Sequence, residues 1–105
     1  MTYTSREAML DMAKKCVCGD RDHEYGKPEN NFGLIGKLWS DYLGIEVSAV
    51  DVSMMMVLFK AARVKTGTAK VDSFVDIAGY AACGCEIAMS EENEDGRSNQ
   101  QESGD

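Results

Sequence analysis

Four charged residues interrupt otherwise apolar sequence: Lys60, Arg63, Asp72 and Asp76. Lys60 and Arg63 stand one helical turn apart, as do Asp72 and Asp76, so each pair shares a helix face. A helical hairpin turning near Thr68 pairs positions whose numbers add to about 136. In that register Lys60 faces Asp76 and Arg63 faces residues 72–73, which puts all four groups in one layer. An arginine guanidinium can grip phosphate oxygens bidentately, a lysine adds a point charge, and the carboxylates can orient both or accept ribose hydroxyls. The same layer serves equally well as structural ion pairs, and both readings stay open at this stage.

Residues 23–32, HEYGKPENNF, hold the chain's only histidine and only proline between two stretches of helical pattern. Gly26 allows a bend and Pro28 suits the first turn of the next helix. Tyr25 and Lys27 are the loop residues expected to touch a ligand, with Asn30 and Asn31 as hydrogen-bonding support. Tyr25 and Trp39 are the candidates for stacking on a base. His23, in a polar turn beside acids, reads as a solvated bystander. Octahedral magnesium wants oxygen ligands from several carboxylates. The first helix of the charged pair offers lysine and arginine where a second acidic pair would be required. No catalytic residue, metal ligand or cofactor is therefore assigned, and magnesium enters only under a hydrolase alternative.

The elements that must position these groups are four helices with almost no strand signal. T-x-x-E from Thr4 to Glu7 fits a capping box, and Met9, Met12, Ala13, Cys16 and Val17 follow as an apolar stripe that Gly19 ends. The second helix carries Phe32, Ile35, Leu38, Trp39, Tyr42 and Leu43 and closes at Gly44. Ser48 with Asp51 opens a third helix running to Val64, apolar nearly all round, fit for the centre of a bundle or a subunit interface. The consecutive methionines 54–56 suit a soft interior. The fourth helix runs from Asp72 to Met89, with Gly79 and Gly84 inside it as points of close helix packing. Cys16/Cys18 and Cys83/Cys85 form two C-x-C pairs; residues two apart on a helix point in different directions, so they read as small buried thiols rather than a zinc site.

The expected architecture is all-α: a compact four-helix bundle-like domain over residues 1–89, with a central apolar helical hairpin, followed by a disordered acidic tail over 90–105. That tail holds six acids and one arginine, so most of the net charge of −7 lies there. An acidic body argues against duplex nucleic acid as partner, since phosphate neutralisation needs a basic face. No apolar run has the flanks of a signal peptide or reaches the roughly 18 residues of a membrane span. The expected location is the host-cell cytoplasm.

The blocks HEYGKPENNFGLIGKLWSDYLG, MMMVLFKAAR and DSFVDIAGYAA together resemble a family of small phage-encoded α-helical domains of uncharacterised function, over residues 15–88. More remotely, the order YG, K-x-x-R, D-x-x-x-D, GY is similar to a nucleotide-modification-associated phage domain and to MazG-like all-α nucleotide pyrophosphohydrolases. The latter pattern has E-x-x-E on one helix and E-x-x-D on its partner, together binding magnesium. Here Lys60 and Arg63 stand on the first helix, so the resemblance implies a nucleotide-binding scaffold without the hydrolase's metal set.

The function expected from this sequence is binding of a small nucleotide-like ligand without hydrolysis, as a homo-oligomer that sequesters a (cyclic) nucleotide immune signal of the bacterial host. The first alternative is a magnesium-dependent pyrophosphohydrolase in which Glu24, Glu29, Asp72 and Asp76 converge with His23 as base. The second is an interaction module that inhibits a host protein.

Overall fold

The computed structural model describes residues 4–20, 28–67 and 70–94, and every element in them is helical. In chain order these are α1 (Arg6–Lys15), a π-wound continuation (Cys16–Asp20), α2 (Pro28–Leu43), α3 (Ala49–Thr66) and α4 (Lys70–Glu94). The all-α fold with a central hairpin is the architecture expected from the sequence. No helix among the described residues is long and apolar enough to cross a membrane.

The helix ends follow local side-chain chemistry. Ser5, not Thr4, caps α1: its Oγ accepts the Ala8 N–H at 3.0 Å. Glu7 then lies in the first turn, where it complements the helix dipole without closing a capping box. Past Lys15 the chain does not stop but widens into the π turn through Gly19. At α3 the capping box is complete, with Asp51 N–H donating to Ser48 Oγ and Ser48 N–H to Asp51 Oδ2, both at 3.0 Å. Gly44 closes α2 at φ +76°, a conformation other residues adopt only with strain.

The bend between α2 and α3 is held by Ser40. Its Oγ accepts the Val47 N–H at 2.7 Å and donates to the Gly36 carbonyl at 2.7 Å. Gly36 must lack a side chain here, because a Cβ would lie 2.7 Å from the Val47 carbonyl oxygen. The core beneath consists of Phe32, Val47, Val52, Cys83 and Ile87, flanked by Ile35, Trp39, Met56 and Tyr80. Helices α3 and α4 form its spine. Fully buried Ser53 donates from Oγ to the Tyr80 carbonyl at 2.7 Å, and Gly84 packs directly on Ser53.

Three sequence expectations need correction. Helix α4 begins two residues before Asp72 and runs five past Met89 to Glu94, so the first acidic residues of the expected tail are helical. Glutamate is a good helix former, and a helix already docked along its length extends into such sequence at little cost. Residues 95–105 lie outside the described residues. Of the four cysteines only Cys83 is buried; Cys16, Cys18 and Cys85 are exposed free thiols, because α1 and α4 each bury a narrower stripe than their apolar content implies. Of the three consecutive methionines only Met56 packs on the core, while Met54 and Met55 face outward from α3.

Candidate functional site

The charged layer forms where the hairpin arithmetic puts it. Lys60 Nζ lies 3.0 Å from Asp76 Oδ2, the one ion pair among the described residues. The contact of Gly84 with Ser53, about two turns further from the hairpin bend, keeps the same register. Lys60 and Asp76 are half-buried, with side chains 21% and 35% exposed. The pair therefore sits at the mouth of the groove, wet enough to be reached and dry enough to be felt.

Arg63 and Asp72 are both exposed and make no ion pair with each other. Arg63 follows Lys60 by three residues on α3, and its exposed side chain is not ion-paired across to α4. Among the described residues, Arg63 is thus a cation of this layer not already committed to a carboxylate.

Asp76 also borders a cleft whose other walls are Cys16, Val17, Val75, Gly79, Tyr80 and Cys83. The cleft exists because α1 and its π turn lie across α4: Val17 packs so closely on Gly79 that a Cβ there would meet its Cγ1 at 2.9 Å. Its volume is about 40 Å³, room for a few waters and far below the roughly 300 Å³ at which small-molecule pockets begin. Any larger ligand has to lie across the open mouth. A second, wider hollow is lined by Asp11, Met12, Lys14, Lys15, Cys18 and Gly19, and none of the expected ligand residues reaches it.

Trp39 does not stand in this site. It is half-buried on α2 and packs against the core cluster, away from the cleft beside Asp76. Asn30 is exposed in the first turn of α2 and Asn31 is half-buried beside it. Tyr25 and Lys27, with His23 and Glu24, lie outside the described residues. Their flanks are placed: Val17 rests on Gly79, and the Phe32 ring lies 6.0 Å from that of Tyr80. Both anchors of the intervening segment thus meet adjacent residues of α4, one turn from Asp76.

Sequence reasoning missed Cys16, Val17 and Tyr80 as neighbours of Asp76. The signal for Tyr80 was present, since it follows Asp76 by one turn on the same helix. The signal for Val17 was not, because its position depends on the π turn. Among the described residues no three histidine, cysteine, aspartate or glutamate side chains come together as metal ligands do.

The fold and site together define a small all-α domain whose apolar hairpin carries an ion-paired polar layer beside a narrow cleft. The chain belongs to the family described as a domain of unknown function, DUF6378, whose model matches residues 8–88. It is similar to the Gene 55 protein of Mycobacterium phage D29, with 46% identity over 77 residues covering 73% of this chain and 51% of that protein. It is also similar to the Gene 55 protein of Mycobacterium phage L5, with 39% identity over 75 residues covering 70% and 48%. The chain spans about half the length of these curated relatives, which makes it a phage-type small domain matched over part of larger proteins. No solved structure matches it.

Proposed function

We propose that this domain binds a nucleotide through its phosphates, without hydrolysing it, and sequesters a (cyclic) nucleotide immune signal of the bacterial host. The observation that carries the reading is the asymmetric charge at the hairpin. Asp76 holds Lys60 at 3.0 Å while Arg63, one turn on, is exposed and unpaired among the described residues. A phosphate arriving there meets an uncommitted guanidinium with a second cation already oriented beside it. Asp72 is exposed one turn from Asp76 and is available to a ribose hydroxyl.

The non-hydrolytic part rests on the carboxylates. Asp76 is engaged by Lys60, and among the described residues Asp72 alone falls short of the oxygen set that magnesium-assisted attack on a phosphoanhydride uses. The relatives are phage proteins, and the bacterial host is the setting in which this reading places the ligand. Under this reading the protein works in the host cytoplasm.

Thermal shift of the full chain against mono-, tri- and cyclic nucleotides, with and without magnesium, tests the proposal. Magnesium-independent stabilisation that Arg63→Ala abolishes, with the fold retained, is the expected result. Turnover to a monophosphate would favour the pyrophosphohydrolase. A second reading, an interaction module for a host protein, is favoured by the apolar outer face of α2. Leu34, Leu38 and Tyr42 are all exposed there, Tyr42 to 89%, and Ile45 is exposed just past the helix end; the absence of any nucleotide shift would support it.

A further inference from the structure

Helix α3 is apolar nearly all round, yet among the described residues only one side of it is covered. Helix α4 takes the face with Ser53, Met56 and Lys60, and α2 takes the N-terminal turns. On the opposite side run Asp51, Met54, Met55, Leu58, Ala62 and Lys65, all exposed. Their spacing of three and four residues makes one continuous stripe along about 20 Å of helix. Leu58, at its centre, is 69% exposed.

We propose that this stripe is the interface of a two-fold symmetric dimer, in which α3 of one copy packs antiparallel against α3 of a second copy about an axis through Leu58. The charges at the two ends identify the occupant. An antiparallel pair centred on residue 58 sets position 51 opposite position 65, so Asp51 of each copy meets Lys65 of the other at both ends. Leu58 packs on its own symmetry mate, and Met54 faces Ala62, a large residue against a small one. The surface is complementary to itself, as a two-fold interface must be. A parallel pair would set Asp51 on Asp51 and Lys65 on Lys65, which like-charge repulsion disfavours. Asp51 keeps one oxygen for the Ser48 N–H and has its other oxygen available to a lysine.

The area is of the right order. At roughly 200 Å² for each large side chain, Met54, Met55, Leu58 and the flanking Phe59 expose roughly 400 Å² of apolar surface. With Asp51, Ala61, Ala62 and Lys65 around them, each copy approaches the roughly 800 Å² per partner of a standard interface. A patch of this size matches the largest on a typical monomer, a kind of patch that is often functional. The ion-paired layer of Lys60 and Asp76 lies on the α4 side of the helix, so this inference stands apart from the ligand proposal.

Sedimentation equilibrium of the full chain is expected to give twice the 11.5 kDa chain mass at micromolar concentration. Leu58→Glu is expected to give a monomer with unchanged helicity, since its side chain lies outside the folded core. Lys65→Glu and Asp51→Lys should each weaken dimerisation at least tenfold, and an equimolar mixture of those two variants should restore it, because both end pairs become attractive again. A monomeric wild type overturns the proposal. So does a dimer that survives Leu58→Glu, or a mixture of the two charge variants that associates no better than either alone.

Discussion

Gly84→Ala probes the packing that sets the hairpin register, and its cost can be worked out from the geometry. In a free helix the change would stabilise by about 1 kcal/mol. In this one the new Cβ lands well inside van der Waals contact distance of Ser53 Oγ and 3.1 Å from Ser53 Cβ. Ser53 is fully buried and its hydroxyl is committed to the Tyr80 carbonyl, so it has no free direction in which to yield. Separating α3 from α4 or turning the hydroxyl away costs about 1–3 kcal/mol for overpacking and about 1 kcal/mol for the hydrogen bond. The net expectation is a destabilisation of about 2 kcal/mol, a fall in Tm of about 8–16 °C for a domain of this size. Ser53→Ala alone is expected to cost about 1 kcal/mol. The double variant should cost less than the sum by about 1 kcal/mol or more, since the oxygen that the new methyl meets is gone. The assay is thermal or urea unfolding followed by circular dichroism at one fixed protein concentration, because association would shift Tm. A Gly84→Ala variant more stable than wild type, or strict additivity in the cycle, would refute the close approach of α3 and α4 at this point.

Ser40→Ala leaves the N–H of nearly buried Val47 without its acceptor, so a loss of about 1–3 kcal/mol is expected in urea unfolding. At Gly44, where φ is +76° and the surrounding space is open, an alanine is expected to cost about 1 kcal/mol through backbone strain alone, and an asparagine less. A double-mutant cycle on Lys60 and Asp76 should give a coupling of at most about 1 kcal/mol that shrinks in high salt, since both side chains are partly exposed. A larger, salt-insensitive coupling would mean that the pair is sealed from solvent.

The hairpin was legible because its charges and glycines are rare within apolar sequence. With the turn at Thr68, Lys60 can meet only Asp76, and Gly84 inside a helix marks a close approach that the structure places on Ser53. The capping of α3 was legible too, because Ser48 and Asp51 act through local hydrogen bonds. The cap of α1 was off by one residue, as Thr4 and Ser5 are adjacent and either hydroxyl suits the role. What could not be read was anything set by tertiary contact. The π turn at Cys16–Asp20 has no composition signal, yet it delivers Val17 to Gly79 and so creates the cleft beside Asp76. Trp39 carries the same ring whether it stacks on a base or packs on a core, and only the fold shows it half-buried against the core cluster. Arg63, expected opposite residues 72–73, is exposed and forms no ion pair with Asp72.

The central claim is that the hairpin layer captures a nucleotide and leaves it intact. The direct measurement is to incubate the full chain with cyclic and linear nucleotides without magnesium, pass the mixture through a membrane that retains protein, and chromatograph both the filtrate and the ligand released by heating the retained fraction. The account predicts that at least one nucleotide is depleted from the filtrate in proportion to protein, returns chemically unchanged on heating, and passes freely when Arg63 is replaced by alanine. Every nucleotide appearing unbound in the filtrate, or a bound one returning as cleaved product, would contradict it.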